Sequence, residues 1–185
     1  MIHLALDTET DLIGQGRLAP RLACVAMMHS NEKTPSLYNS TDFIKPFINW
    51  INSNSGWLIG HNIAYDMLVL LRARPFLTPF IWSLYEQGRI WDLGLHERLY
   101  TLGMGWSSHP AIGKPIVTNG VSLADLSLGL LGISYGDLKS GEDSPRLHYK
   151  KLLNVPLSDW DQSSIKYALL DAEITLKVGL YQFER

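Results

Sequence analysis

The sequence predicts an α/β fold in which helices flank a mixed five-stranded sheet. Two observations predict it. Three short apolar runs separated by turn residues come first, as expected of strands joined by hairpins. Apolar patterns at helical spacing then alternate with short buried runs, which is typical of parallel strands connected by helices. We therefore expect three antiparallel strands followed by two parallel ones.

The first half of the chain contains all five predicted strands. Residues 11–16 turn the first run into the second. Asp92 closes the last strand. The predicted strands cover residues 2–8, 21–28, 34–39, 57–60 and 90–91.

Helices are predicted between the later strands and through the second half. Asn62 is a good N-cap for the second helix, and Pro75 ends that helix. Ser158 or Asp159 would cap the last helix. Residues 103–120 form the longest predicted loop, either a flap or an insertion without function. The predicted helices cover residues 41–52, 62–74, 80–86, 95–102, 122–131 and 158–183.

Length and composition indicate one globular domain over residues 1–185. The single cysteine, Cys24, excludes an intramolecular disulfide and suits a reducing cytoplasm. The N-terminus lacks the basic region of a signal peptide. No apolar segment approaches the about 20 residues that a membrane span requires, so no membrane association is expected.

A net charge of −2 argues at first against a nucleic-acid partner, because such proteins often carry a basic surface. A metal-dependent nuclease is an exception. Its site is acidic until bound cations add positive charge where the phosphate lands. The charge balance therefore leaves the partner open and predicts a requirement for divalent metal.

Acidic side chains occur in three places that the predicted elements could bring together. Asp7 and Glu9 end the first strand and, being two residues apart, point to the same face. Asp66 lies near the start of the second helix. Asp171 lies on the last helix, four residues after Tyr167 and on the same side. Clustered carboxylate oxygens are the ligands that Mg²⁺ and Mn²⁺ prefer.

Each of these places also has an ordinary structural interpretation. Asp66 alone would be a capping or surface carboxylate, and Tyr167 with Asp171 would be a half-buried pair on an amphipathic helix. The combination is more informative, because order, spacing and type of element all agree. The sequence therefore predicts one metal site built from all four carboxylates.

The motifs around these residues resemble those of the DEDD, or DnaQ-like, 3′–5′ exonuclease superfamily, which has an RNase H-like fold. In that fold the first strand is central, which would bury Ile2, Leu4 and Leu6. The tyrosine and its spacing in the third motif resemble the DEDDy branch. The chain is most similar to the proofreading exonuclease domain of family A DNA polymerases, especially those of phages. The motifs are Leu6-Asp7-Thr8-Glu9-Thr10, Gly60-His61-Asn62-Ile63-Ala64-Tyr65-Asp66 and Tyr167-Ala168-Leu169-Leu170-Asp171-Ala172.

The resemblance implies a two-metal hydrolysis of single-stranded DNA from its 3′ end, releasing 5′-mononucleotides. Asp7 would contact both Mg²⁺ or Mn²⁺ ions, Glu9 and Asp171 would complete the tighter site, and Asp66 would hold the second ion. Tyr167 would orient the attacking water. The domain would be a monomer in a bacterial or phage-infected cytoplasm. Its partner would be a polymerase domain, either in cis, with this domain as the N-terminal part of a larger polymerase, or in trans.

Further residues are candidates for contacting the substrate. The Thr8 backbone amide would meet the terminal nucleotide, and Leu12 or Ile13 would wedge against the last base. Arg146 with Tyr149 would suit a phosphate and a base. The predicted substrate contacts are Thr8, Leu12, Ile13, Asn62, Tyr65 and Arg146.

Two alternatives to the DNA exonuclease remain at this point. The first is an RNA 3′-end exonuclease similar to RNase D, whose site chemistry would be the same. The second is a non-catalytic nucleic-acid-binding module of a polymerase. The four carboxylates and Tyr167 are all present, which makes the second alternative the weaker of the two.

Overall fold

The structure, a computed structural model, describes residues 1–14, 19–113, 121–134 and 144–185. Its centre is a five-stranded sheet with the order β3-β2-β1-β4-β5. The first three strands pair antiparallel, and β1, β4 and β5 run parallel, which confirms the predicted sheet. The strands are β1 (Leu4–Thr10), β2 (Leu22–His29), β3 (Ser36–Asn39), β4 (Leu58–Gly60) and β5 (Ile90–Asp92).

Helices cover both faces of this sheet. Short 3₁₀ turns precede three of them, at Pro75–Leu77, Pro145–Leu147 and Leu157–Asp159. None of the helices in the described ranges has the length and apolarity needed to cross a lipid bilayer. The helices are α1 (Ile44–Ser53), α2 (Ile63–Ala73), α3 (Thr78–Glu86), α4 (Leu93–Gly103), α5 (Leu123–Leu131), α6 (Tyr149–Leu152) and α7 (Gln162–Phe183).

The start of α7 differs from the prediction. Ser158 and Asp159 lie in the preceding 3₁₀ turn, where the serine hydroxyl donates to the aspartate. The helix begins after Asp161, whose side chain accepts a hydrogen bond from the Ser164 amide at 2.8 Å. The predicted cap was wrong because three residues in this stretch suit an N-cap, and the turn selects the last of them.

The start of α2 also differs from the prediction. Asn62 does precede the helix, but its backbone is left-handed (φ 55°) and its side chain makes no capping hydrogen bond. Asp92, at the end of β5, instead accepts from the Ile63 amide at 3.0 Å. Its other oxygen accepts from the Leu95 amide at 3.0 Å and caps α4. One carboxylate therefore anchors the starts of two helices.

Side chains of β1 alternate between two cores. Leu4 and Leu6 are buried in the core that contains apolar residues of α1, α2 and α3. Ala5, on the opposite face, is buried in the core that contains residues of α5 and α7. Helix α7 lies so close to the sheet that a Cβ on Gly179 would come within 2.8 Å of the Ile59 side chain. The sheet thus places the carboxyl end of β1 between α2 and α7.

Candidate active site

Three carboxylates converge where β1 meets α7. Asp7 and Glu9 project from the same face of β1, and Asp171 faces them from the helix. Each offers one carboxylate oxygen, and these oxygens all lie within 4.8 Å of one another. Glu9 and Asp171 are buried, and Asp7 is half-buried. The predicted meeting of these three side chains is therefore observed.

Asp66, the fourth predicted ligand, is not part of this group of three; it is buried and is hydrogen-bonded to β1 through Thr8. Its Oδ1 accepts two hydrogen bonds from Thr8, from the backbone amide at 3.0 Å and from the hydroxyl at 2.6 Å. Burial raises the pKa of Asp66 to about 7, although the bonds from Thr8 act in the opposite direction. The metal-free protein thus retains a proton on Asp66 at a pH where an exposed aspartate has lost it.

This arrangement changes the role expected of Thr8. Its backbone amide was predicted to meet the terminal nucleotide, but it donates instead to Asp66. Thr8 points to the α2 side of β1, between the two residues that face α7, because side chains alternate along a strand. It therefore positions Asp66 relative to Asp7 and Glu9.

Tyr167 lies one helical turn before Asp171 and is only 5% exposed. Its ring packs near that of the buried Tyr149, with centroids 6.5 Å apart. Burial, and then the charges of Asp171 and Glu9, raise the pKa of the Tyr167 phenol. The phenol therefore stays protonated near neutral pH and can act as a hydrogen-bond donor.

A cavity of about 380 Å³ opens onto these carboxylates. Leu12 and Ile13 stand at its wall with 60% and 65% of their surfaces exposed. The Tyr65 hydroxyl lies 2.9 Å from the Thr10 hydroxyl on another wall. We call this space the carboxylate cavity; it is lined by Asp7, Thr8, Glu9, Thr10, Asp11, Leu12, Ile13, Tyr65, Leu147 and Asp171.

Leu147 was not predicted as a site residue. It comes from the 3₁₀ turn at Pro145–Leu147, where the only signal in the sequence was the neighbouring Arg146. The backbone of Arg146 lies in this turn, and its side chain lies outside what the structure describes. The expectation that Tyr149 contacts a base is wrong, because Tyr149 is fully buried and its hydroxyl donates to the Ser164 carbonyl at 2.9 Å.

Asn62 lies outside the carboxylate cavity. It is exposed and lines a separate cavity of about 440 Å³ together with His61 and Arg98. The His61 ring nitrogen lies 2.7 Å from the Val121 carbonyl in the same region. Of the six predicted substrate contacts, four line the carboxylate cavity: Thr8, Leu12, Ile13 and Tyr65. Asn62 lines the other cavity, and the side chain of Arg146 lies outside what the structure describes.

The donors present suit a hard divalent cation. Asp7, Glu9 and Asp171 supply oxygen ligands, and Asp66 adds a fourth carboxylate beside them. Carboxylates of this kind hold Mg²⁺ and Mn²⁺, whereas softer metals favour thiolate or imidazole ligands. The nearby Cys24 is buried, and burial together with Glu9 and Asp7 raises the pKa of its thiol, so it stays protonated.

No protein-family model and no curated protein matches this sequence. Solved structures do match its fold. The Nibbler EXO domain of Aedes aegypti superposes with a TM-score of 0.62 at 13% identity, covering 98% of this chain and 78% of that one. RNase D of Trypanosoma brucei, solved with GMP, superposes with a TM-score of 0.61 at 14% identity, covering 97% and 50%.

The same RNase D solved with the RNA U12 gives a TM-score of 0.58 at 12% identity. This chain spans about half the length of the RNase D chains that it matches. At such low identity the likeness concerns the fold. The comparison and the observed sheet order together show that the chain has the RNase H-like fold.

Proposed function

We propose that this protein is a metal-dependent 3′–5′ exonuclease that shortens single-stranded DNA. The observation that carries the proposal is the convergence of Asp7, Glu9 and Asp171 within 4.8 Å at the base of an open cavity. The fold shared with the Nibbler EXO domain and RNase D supports it. The products would be 5′-mononucleotides.

The four carboxylates would bind two divalent cations. Asp7, Glu9 and Asp171 would hold one ion, and Asp66 would hold the other with Asp7 shared between them. When bound, the two ions supply a nucleophilic hydroxide and stabilise the charge on the leaving oxygen. Thr8 keeps Asp66 in place through its two hydrogen bonds, so Asp66 needs little rearrangement to act as a ligand.

Tyr167 is proposed to orient the attacking water. Its raised pKa leaves the phenol protonated, so it donates a hydrogen bond to the water and does not remove a proton from it. Replacing Tyr167 by Phe removes this donor. We expect roughly a 10-fold loss of rate with an unchanged pH profile.

The walls of the carboxylate cavity suit the end of a strand. Leu12 and Ile13 present exposed apolar surface against which a terminal base can stack without being read. Tyr65 and Thr10 form a polar wall opposite the ligands. Such a site would accept any base, as required of an enzyme that removes nucleotides one after another.

We favour proofreading for a family A DNA polymerase, because the sequence motifs resemble that domain most. The polymerase would be joined in cis or act in trans, with the exonuclease a monomer in the cytoplasm. RNA is the second candidate substrate, because a protein of the same fold was solved with an RNA strand. The two differ at the 2′-hydroxyl of the terminal nucleotide.

The test is degradation of 3′-labelled and 5′-labelled single-stranded DNA and RNA with Mg²⁺, Mn²⁺ or EDTA, beside Asp7→Ala. Metal-dependent release of 5′-mononucleotides from the DNA 3′ end, lost in the variant, is the expected result. Faster degradation of RNA would replace DNA by RNA as the substrate. Binding of metal and DNA without cleavage would overturn the exonuclease proposal and favour a binding module.

A further inference from the structure

Three arginines line a third cavity, separate from the two described above. Arg72 and Arg74 come from the end of α2, and Arg21 comes from the segment just before β2. The cavity has a volume of about 210 Å³. We call it the arginine cavity; it is lined by Pro20, Arg21, Leu22, Ser40, Arg72, Ala73 and Arg74.

Two of these arginines contact no carboxylate among the residues that the structure describes. Arg72 donates to the Ala19 carbonyl, and Arg74 donates to the carbonyl of its neighbour Ala73 at 2.7 Å. Only Arg21 has an acidic partner, Asp11, at 2.8 Å. Since a guanidinium has five N–H donors, each of the three retains donors for a further ligand.

A structural role accounts for part of this arrangement. Cations near the end of a helix interact favourably with its dipole, and both Arg72 and Arg74 are placed to do so. The dipole does not require Arg21, from a different element, to face the same cavity. Three positive charges and one carboxylate leave an excess of two, in a protein whose net charge is −2. The local excess points to an anion.

Phosphate is the anion that this chemistry fits best. Guanidinium groups bind phosphate oxygens through paired hydrogen bonds, and they are less strongly hydrated than ammonium groups. The hydroxyl of Ser40 adds a neutral donor at the wall. The half-exposed Arg21 side chain, at 52%, shows that the cavity is open to a ligand from solution.

An ion pair connects the walls of the arginine cavity and the carboxylate cavity. Asp11 lines the carboxylate cavity, and it contacts Arg21 of the arginine cavity at 2.8 Å. Arg72 and Arg74 follow Asp66 by six and eight residues on α2 or at its end, which places them about 9 and 12 Å further along the helix axis. Both cavities are therefore within reach of a single extended strand.

We propose that the arginine cavity binds a backbone phosphate of the nucleic-acid strand, on the 5′ side of the terminal nucleotide held in the carboxylate cavity. This inference rests on the proposed exonuclease function. It adds a second point of attachment, which would hold the strand after each nucleotide is removed. A free mononucleotide carries the same phosphate chemistry, so the experiment must separate the two sources.

The experiment compares wild type with Arg72→Gln plus Arg74→Gln. Binding of a labelled strand of about ten nucleotides is measured by fluorescence anisotropy in EDTA over a range of salt concentrations. Cleavage of the same strand and of a dinucleotide is measured with Mn²⁺. The matched control is Lys33→Gln plus Lys177→Gln, which removes two positive charges from exposed positions outside both cavities.

The expected result is about 10-fold weaker binding of the long strand. The slope of the logarithm of the binding constant against the logarithm of the salt concentration should fall in magnitude by about 1.4, that is, by about 0.7 for each lost phosphate contact. Cleavage of the dinucleotide and binding of a 5′-mononucleotide should be unchanged. An equal loss of cleavage rate for the long strand and the dinucleotide would overturn the proposal. So would an equal loss of strand binding in the control variant, or a loss of binding confined to the mononucleotide.

Two further variants keep the test decisive if the double variant folds poorly. Arg74→Gln alone disturbs only a hydrogen bond to its own neighbour, and the double Arg→Lys variant keeps both charges. The first should weaken binding of the long strand. The second should keep the salt dependence of wild type but recover only part of the affinity, because lysine keeps the charge without the paired hydrogen bonds. If wild type binds the strand but does not cleave it, the exonuclease proposal fails, while the binding comparison still decides the arginine cavity.

Discussion

Two buried acidic regions of this molecule are built on opposite principles. In the candidate site, carboxylates are collected around other carboxylates, with three ligand oxygens within 4.8 Å and Asp66 beside them. In the second region, Glu97 is fully buried between α4 and the end of α7 and is surrounded by donors. His109, Gln182 and Arg185 each contact it, at 2.7, 2.9 and 2.8 Å.

The pKa values reflect this difference. Burial raises the pKa of Glu97, but the hydrogen bonds from His109, Gln182 and Arg185 outweigh burial and lower it overall. For Asp66, burial outweighs the bonds from Thr8 and the pKa rises to about 7. Hydrogen bonds from the protein stabilise the charge of Glu97. In the candidate site, the proposed cation would stabilise the clustered carboxylates.

Among substitutions in these two regions, the largest effect is expected on activity, from a change in the candidate site. Asp7→Ala removes an oxygen ligand from the cluster, so the rate should fall by about 10³-fold, equivalent to about 4 kcal/mol. The metal-free protein should melt no lower, because one of several mutually repelling charges is gone. Nuclease assays and thermal melting in EDTA measure the two quantities. Retained activity would contradict the assignment of Asp7.

The next largest effect is on stability. Glu97→Ala leaves His109 and Arg185 without their carboxylate and should cost about 3 kcal/mol of unfolding free energy. Denaturant unfolding measures it. Activity per folded molecule should change little, since Glu97 does not line the carboxylate cavity. A variant as stable as wild type would show that the Glu97 cluster contributes no net stability.

Added metal should stabilise the protein through the candidate site and not through the Glu97 cluster. Mn²⁺ at about 100 times its dissociation constant should stabilise wild type by about 2.7 kcal/mol, because it binds the folded site preferentially. The gain should disappear in Asp7→Ala and persist in Glu97→Ala. Thermal melting with and without millimolar Mn²⁺ tests this. An unchanged melting temperature in wild type would argue against a preorganised metal site.

The smallest effects are the pH dependences, which have opposite signs. The stabilisation from protonated Asp66 is complete below its ordinary pKa of 3.8 and is lost as pH rises through about 7. The stabilisation from ionised Glu97 is complete above its ordinary pKa of 4.5 and is lost as pH falls through its lowered value.

Melting in EDTA from about pH 2 to about pH 8 separates these two contributions. Relative to wild type, Asp66→Asn should gain stability as pH rises from 3.8 to about 7. Glu97→Gln should be less stable at neutral pH, with a deficit that shrinks only below pH 4.5. Parallel pH profiles for the two variants would contradict the assigned directions.

The sequence predicted the candidate site better than the second region for a physical reason. Asp7 and Glu9 share one strand face, and Asp171 lies at a definite place on a long helix, so local periodicity places all three. The succession of hairpins and helical patterns likewise predicted three antiparallel strands followed by two parallel ones. Local rules are sufficient wherever the strand and helix periods determine the direction of a side chain.

Contacts between distant segments were not predictable in this way. His109 had no recognisable partner in the sequence, and Glu97 and Gln182 meet across 85 residues. Asp92, expected only to close a strand, caps two helices in place of Asn62. Each of these polar groups found its partner through tertiary packing, which no local pattern encodes.

Gly179 links the packing of α7 to the spacing of the candidate ligands. A methyl group there would meet Ile59 at 2.8 Å and would lift the helix from β4. Asp171 lies eight residues earlier on the same rigid helix, about 12 Å away along its axis. A side chain at position 179 would therefore displace Asp171 from Asp7 and Glu9, and the proposed cation would bind less tightly.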